Sequence, residues 1–168
     1  MIAPDYCVTT ARYNAWQNDQ MHDAMAALDD GALRAERGAV FGSILATANH
    51  LLWADLMWMA RLDGGTPPGG GIAESLEFQP TLATWRAERF RCDRRLILWA
   101  ERLGAIDLTG DLSFDSAALG RNVTAPVGLC VMHMFNHQTH HRGQIHAMLT
   151  AAGATPPVSD LFLMPEEC

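Results

Sequence analysis

Residues 64–78, with the run Gly64-Gly65-Thr66-Pro67-Pro68-Gly69-Gly70-Gly71, can be neither helix nor central strand. Proline removes a backbone donor, and glycine loses more conformational freedom on ordering than any other residue. On both sides of this break, apolar residues recur at three- and four-residue spacing, the period of an amphipathic helix. The break is therefore a connection between helices, and it exceeds the about 2–8 residues that usually join antiparallel neighbours. A connection of that length predicts a crossover, with the next helix parallel to the one before it.

Four long helical segments are predicted, and no repeat. The first runs from an N-cap at about Thr9 or Thr10 through Tyr13, Trp16, Met21, Met25 and Leu28 to Asp29-Asp30-Gly31. The second starts near Arg37 and carries Phe41, Ile44, Leu45, Ala48, Leu52, Met59 and Leu62 before Gly64. The third begins around Pro80 or Thr81, shows Leu82, Trp85, Arg89, Cys92, Leu96, Trp99 and Leu103, and takes Gly104 as its C′ residue. The fourth begins near Pro126, with Thr124 as a cap, and ends at Gly153 ahead of Pro156 and Pro157. From Asp107 to Thr124 the pattern weakens, and Asp111-Leu112-Ser113-Phe114-Asp115 reads as a short strand or extended loop. The expected architecture is all-α: a four-helix bundle with one long crossover after the second helix, a short strand or hairpin before the fourth, and one domain over residues 1–168. Trp16, Trp53, Trp58, Trp85 and Trp99 are expected in its core, with the lining of a pocket as the alternative for some of them.

The 168 residues are 49% hydrophobic and 18% charged, enough for a core that needs neither disulfide nor metal to hold it. Acidic residues outnumber basic ones 19 to 12, and all 12 basic residues are arginine. A net charge of −7 repels phosphate backbones, which argues against nucleic acid as a partner. The one basic stretch, Arg86, Arg89, Arg91, Arg94 and Arg95, alternates with Glu88 and Asp93 and reads as the solvated face of a helix. The start, Met1-Ile2-Ala3-Pro4-Asp5, has no basic or apolar region of a secretory signal, and no apolar run reaches the ~18 residues of a membrane span. Cys7, Cys92, Cys130 and Cys168 form no CxxC pair, so reduced thiols in a cytoplasm are expected.

Five of the 7 histidines fall between His133 and His146. Residues four apart on a helix lie about 6 Å apart along its axis and within ~40° around it, so two imidazoles at that spacing can reach one ion. His133 with His137 and His137 with His141 are two such pairs. His140 lies to one side, and His146 points roughly opposite His137. The face Cys130-His133-His137-His141-Gln144 is polar where a bundle helix should be apolar, and polar groups facing a core need partners. A catalytic site of the zinc type takes three protein ligands and keeps a position open. His50, among apolar neighbours in the second helix, can supply the third; its competing reading is a hydrogen-bonded core histidine. Cys130 reads more readily as a small buried hydrophobe, and His22 as exposed. Gln138 follows His137 where a zincin protease needs a glutamate, so that chemistry is excluded. Spacing alone leaves the choice between His133 and His141 open.

Asn136-His137-Gln138-Thr139-His140-His141-Arg142-Gly143-Gln144 resembles the signature of the DinB/YfiT-like family, a histidine, three residues, then His-Arg-Gly-Gln. Tyr13-Asn14-Ala15-Trp16 is similar to that family's first-helix motif. Phe41 through Leu52, followed by Asp55, Trp58, Arg61 and Gly64, resembles its second helix. The resemblance runs from about residue 10 to 153. It implies an up-down-down-up four-helix bundle, commonly a homodimer, with a divalent metal on His50, His137 and His141. His133 and Gln144 then become pocket residues or partners of the ligands, Arg142 an ion-pair donor and Gly143 a close helix contact. Relatives with known reactions include transferases and isomerases that use a low-molecular-weight thiol. The resemblance thus implies a metal-dependent thiol S-transferase or hydrolase acting on a small molecule, with zinc, nickel or iron as the metal. The rival from another class is a non-catalytic metal-binding stress-response module. Asp55, rotated ~140° from His50, is expected to face away from the site.

Overall fold

Pro4 starts the first helix, where the missing N–H costs nothing, in this computed structural model describing residues 2–116 and 119–166. Helix α1 spans Pro4–Ala26, so it begins ahead of the expected threonine cap; Thr10 lies inside it with Oγ1 donating to the Tyr6 carbonyl at 2.6 Å. Asp29 serves the next helix. Its Oδ1 accepts from the Ala32 N–H at 2.7 Å and opens the short α2, Asp30–Arg34.

Helix α3, Ile44–Asp63, starts at Ser43 and not near Arg37; the Ser43 hydroxyl accepts from the Ala46 N–H at 3.2 Å. Just before it, the Arg37 N–H reaches the Gly42 carbonyl at 2.8 Å in a tight turn that leaves Phe41 outside the helix. Gly64 ends α3 at φ 75°, a left-handed conformation that suits glycine. The 64–78 connection does contain helix: α4, Ile72–Ser75, is held by Glu74 Oε2, which accepts from the Gly71 N–H at 2.9 Å. Helix α5, Leu82–Ala100, has its cap at Thr81. Gly104 leads into a 3₁₀ turn, Ala105–Leu108, instead of closing α5. Strands β1, Asp111–Ser116, and β2, Arg121–Pro126, pair antiparallel with Phe114 opposite Val123. Thr124 sits in β2, its hydroxyl 2.7 Å from that of Ser113, so it does not cap the last helix α6, Val127–Ala151.

The described residues are mostly helical, with one two-stranded hairpin. Helix α1 packs on α5 and α6, and α3 packs on the same two. Two apolar clusters result. One gathers Met25, Ile44, Leu52, Trp85, Ile145 and Leu149; the other gathers Cys7, Met59, Leu96, Trp99, Val131 and Met134. Along each long helix the passage between clusters falls at buried polar residues: Asn14 and Asn18, Asp55, Asp93, Gln138 and Arg142. Arg89, expected on a solvated face, is 1% exposed and makes ion pairs with Asp55 at 2.5 Å and Asp93 at 2.8 Å. Arg91 and Arg94 do face outward, and Arg95 pairs with Asp63 at 2.6 Å. Trp53, Trp58, Trp85 and Trp99 are buried and Trp16 is half-buried. Cys7, Cys92 and Cys130 are buried free thiols, and Cys168 lies outside the described residues. No described helix is long and apolar enough to cross a membrane.

Candidate metal centre

Three histidines meet where α3 crosses α6. His50 comes from α3, His137 and His141 from successive turns of α6, and one ring nitrogen of each lies within 4.8 Å of the others. The His137 and His141 Nε2 atoms are 3.1 Å apart, and the His50 ring centroid stands 5.4 Å from that of His137 and 5.0 Å from that of His141.

The partners behind these rings decide which nitrogens carry protons. Ser75, fully buried in α4, donates its hydroxyl to the Ile72 carbonyl at 2.6 Å. Its oxygen therefore accepts from His50 Nδ1–H at 2.9 Å, which leaves His50 Nε2 with its lone pair free. Gln144 Oε1 accepts from His141 Nδ1–H at 2.9 Å, while the Gln144 amide nitrogen donates to His140 at 3.0 Å. His141 Nε2 is bare for the same reason. It faces His137 Nε2, and the buried His137 Nδ1 has no partner. Lone pairs converging in a desolvated spot repel unless a cation or proton lies between them, so this donor set fits a divalent metal. Outer partners of this kind typically carry about 10–100-fold in metal affinity. Ser75→Ala is accordingly expected to weaken zinc binding by about that factor without changing the fold, measured by competition with a chromophoric chelator. An unchanged affinity would remove the tautomer argument.

Electrostatics keep the rings neutral. Burial lowers the His50 pKa to about 4, with help from His141, and burial lowers that of His137 to about 3, with help from the neighbouring imidazoles. Burial also lowers His141, partly offset by its hydrogen bond to Gln144. Below the ordinary imidazole value near 6.5, the unfolded chain therefore binds protons that the folded chain refuses. The urea midpoint of the metal-free protein is expected to be highest near pH 7 and to fall steadily between pH 6.5 and 4. A flat midpoint over that window would mean the rings titrate normally.

The other candidates take different places. His133 is exposed, its ring 5.8 Å from that of His137 and edge-on to Trp58 at 5.2 Å. Cys130 is buried with Sγ 4.0 Å from the Ala125 carbonyl and is not part of the histidine group. His22 sits half-buried beside Asp23 at 3.2 Å. His146 lines a separate cavity of about 300 Å³ with Tyr13 and Arg142. Arg142 makes no ion pair among the described residues; it is buried with its guanidinium 5.5 Å from the Tyr13 ring. Gly143 makes no close helix contact either, since a Cβ there would meet nothing within 4 Å. Asp55 is committed to Arg89 and does not join the histidines.

A cavity of about 330 Å³ opens beside the three rings, walled by Phe41, Trp53, Trp58, Phe114 and Arg61. Phe41 lies 4.1 Å from the His50 ring, centroid to centroid. Sequence reasoning missed Ser75, which carries no signal in a Gly/Pro-rich connection. Arg61 did carry one: it follows His50 by three helical turns and falls within about 20° of the same face.

Comparison with known proteins bears on the family and the fold. Protein DinB of Bacillus subtilis (strain 168) is 26% identical over 163 residues, covering 95% of this chain and 93% of its own. The crystal structure of a DinB-like protein from Bacillus cereus ATCC 10987 superposes with a TM-score of 0.63 at 20% identity, over 85% of this chain and 90% of that one, and shares its fold. Residues 1–167 match the model of the DinB family, and the chain belongs to that family.

Proposed function

We propose that this chain is a divalent-metal-dependent enzyme, a thiol S-transferase or a hydrolase, with His50, His137 and His141 holding a zinc, nickel or iron ion. The observation that carries this reading is the convergence of three neutral imidazoles on one point in the wall of a cavity. The bound metal would supply Lewis acidity, making a thiol or water a stronger nucleophile at neutral pH. Everything else is the work of the chain's own residues. Ser75 and Gln144 hold two of the rings in the ligating tautomer and orientation. Phe41, Trp53 and Trp58 make the cavity wall beside the rings apolar. His133, whose pKa is lowered by the partial burial of its ring and by Arg61, stands at the cavity edge as a proton acceptor. A small molecule fits a space of this size, and a non-catalytic module would need no such space beside its ion.

Two structural features belong to the same proposal. The packing of α1 and of α3 on both α5 and α6 supports a four-helix bundle with α1 and α3 on one diagonal. The up-down-down-up order is supported by contacts that run parallel between α3 and α5 (Asp55 with Arg89, Asp63 with Arg95), and antiparallel between α1 and α5 (Asn18 with Asp93, Arg12 with Glu101) and between α3 and α6 (His50 with His141, Trp58 with His133). One domain is supported by a family match running from residue 1 to 167. A homodimer follows from the family resemblance, and light scattering coupled to size exclusion tests it.

The enzymatic reading is tested by presenting metal-loaded protein with electrophiles and a panel of cellular thiols, and separately with activated esters and amides. Turnover that a chelator removes and the metal restores is the expected result. A full complement of metal with no turnover in either panel would favour the non-catalytic module.

A further inference from the structure

Resting on the metal-site reading above, we propose that Arg61 is the anion receptor of the histidine cavity, and that its ligand is a small molecule bearing a carboxylate together with an apolar body. Arg61 is the only arginine lining that cavity, and no carboxylate of the described residues lies within 4 Å of its guanidinium. Three features pre-organise it. Its carbon Cζ lies 4.8 Å from the Trp58 ring centroid and 4.5 Å from that of Phe114, and its Nη2 donates to the Asp115 carbonyl at 2.9 Å. Aromatic faces on a guanidinium hold its plane without consuming N–H donors. Of the five N–H bonds of the group, one is given to the Asp115 carbonyl, so a bidentate edge remains for an oxyanion.

The placement relative to the metal site gives the ligand its shape. His137, His133, Trp58 and Arg61 are successive neighbours, with ring separations of 5.8 and 5.2 Å and the guanidinium 4.8 Å from the last ring. A ligand with one end at the histidines can therefore lay an apolar portion along Trp58 and Phe114 and end its acidic group on Arg61. Beyond Arg61 the cavity continues into a cleft of about 640 Å³ between the 67–70 segment and the hairpin. Its other charged side chains are Arg121 and Asp115, and the Asp115 carboxylate is taken by the Asn122 amide at 3.2 Å. The cleft is thus cationic by one charge in a chain whose net charge is −7. A local positive field of that kind selects anions from a mixture of small molecules.

The test uses the full chain loaded with cobalt(II), whose visible spectrum reports ligand binding. The probes are 8-mercaptooctanoate and its uncharged counterpart 8-mercaptooctanamide, which present the same thiol, differ at the far end and carry a methylene chain long enough to pass Trp58 from the histidines to Arg61. Wild-type protein is expected to bind the acid ~10-fold or more tighter than the amide, the size of a charge-assisted hydrogen bond. Arg61→Met should bring the two affinities within about twofold while leaving that of the amide almost unchanged. Arg61→Lys, which keeps the charge and loses the planar fork, should retain part of the preference. A purely structural Arg61, clamping the hairpin to α3, would weaken both probes alike, and that result overturns the proposal. Equal binding by the wild type, or a preference that survives Arg61→Met, overturns it too and leaves the metal reading standing. No cobalt uptake at all overturns the metal reading, and the receptor falls with it. The wild-type ratio and Arg61→Lys decide the matter if Arg61→Met does not fold.

Discussion

Purified protein is expected to carry about one equivalent of a divalent transition metal per chain, and His137→Ala to reduce this below about a tenth. The His137 ring lies 4.4 Å from that of His141 and 5.4 Å from that of His50, centroid to centroid, so its loss removes one of the three converging donors. Apparent metal-binding energies of ~10–16 kcal/mol spread over three or four donors assign roughly 3–4 kcal/mol to each, on the order of 10²–10³ in affinity. Elemental analysis of protein as isolated, and after dialysis against a mild chelator, reads both quantities. His133→Ala and His146→Ala serve as controls that remove an imidazole from the same helix and should leave the metal in place. Loss of metal in the His133 variant with retention in the His141 variant would move the site one turn along α6.

The largest effect on stability is expected from Arg89→Met, at about 3–5 kcal/mol in urea denaturation, out of a total of roughly 5–15 kcal/mol. The side chain is 1% exposed, and its removal strands Asp55 and Asp93 in the protein interior with no cation at hydrogen-bonding distance. Asn18 still donates to Asp93 at 3.0 Å, which limits the loss without neutralising either charge. Arg91→Ala, from the exposed side of the same helix, should cost no more than about 0.5 kcal/mol. Replacing Asp55, Arg89 and Asp93 together by apolar residues of similar size should recover most of the loss, because the penalty lies in unpaired charge. Equal destabilisation by the single and the triple variants would instead point to packing.

These two cases also separate what the sequence reveals from what it conceals. The histidine spacing on α6 is legible because a single helix sets it, and the 3.6-residue period places His137 and His141 side by side without knowledge of the fold. Arg89 stands among Trp85, Cys92 and Leu96 in an apolar stripe, so its period marks it as inward-facing. The charged residues around it in sequence argue the opposite, and its partner Asp55 lies on another helix whose register no local pattern reveals. The start of α3 is misplaced for a related reason. Phe41 continues the apolar spacing, yet Gly42 and the Ser43 cap break the helix ahead of Ile44 and swing Phe41 over His50. Ser75 is beyond periodicity altogether, since its role depends on where an irregular segment comes to rest.

That segment, residues 64–78, does more than join α3 to α5. It brings Ser75 to His50, lends Ile72 to the cavity wall, and presents the Gly69 carbonyl to the Trp53 indole at 2.9 Å. The stretch least bound by helical packing is therefore also a wall of the site. Insertions or substitutions near its tip, around Thr66 to Gly70, can reshape what enters the cleft while the long helices and their histidines keep their places. What enters the cleft can then be altered by editing one connection, with the three-histidine frame left in place.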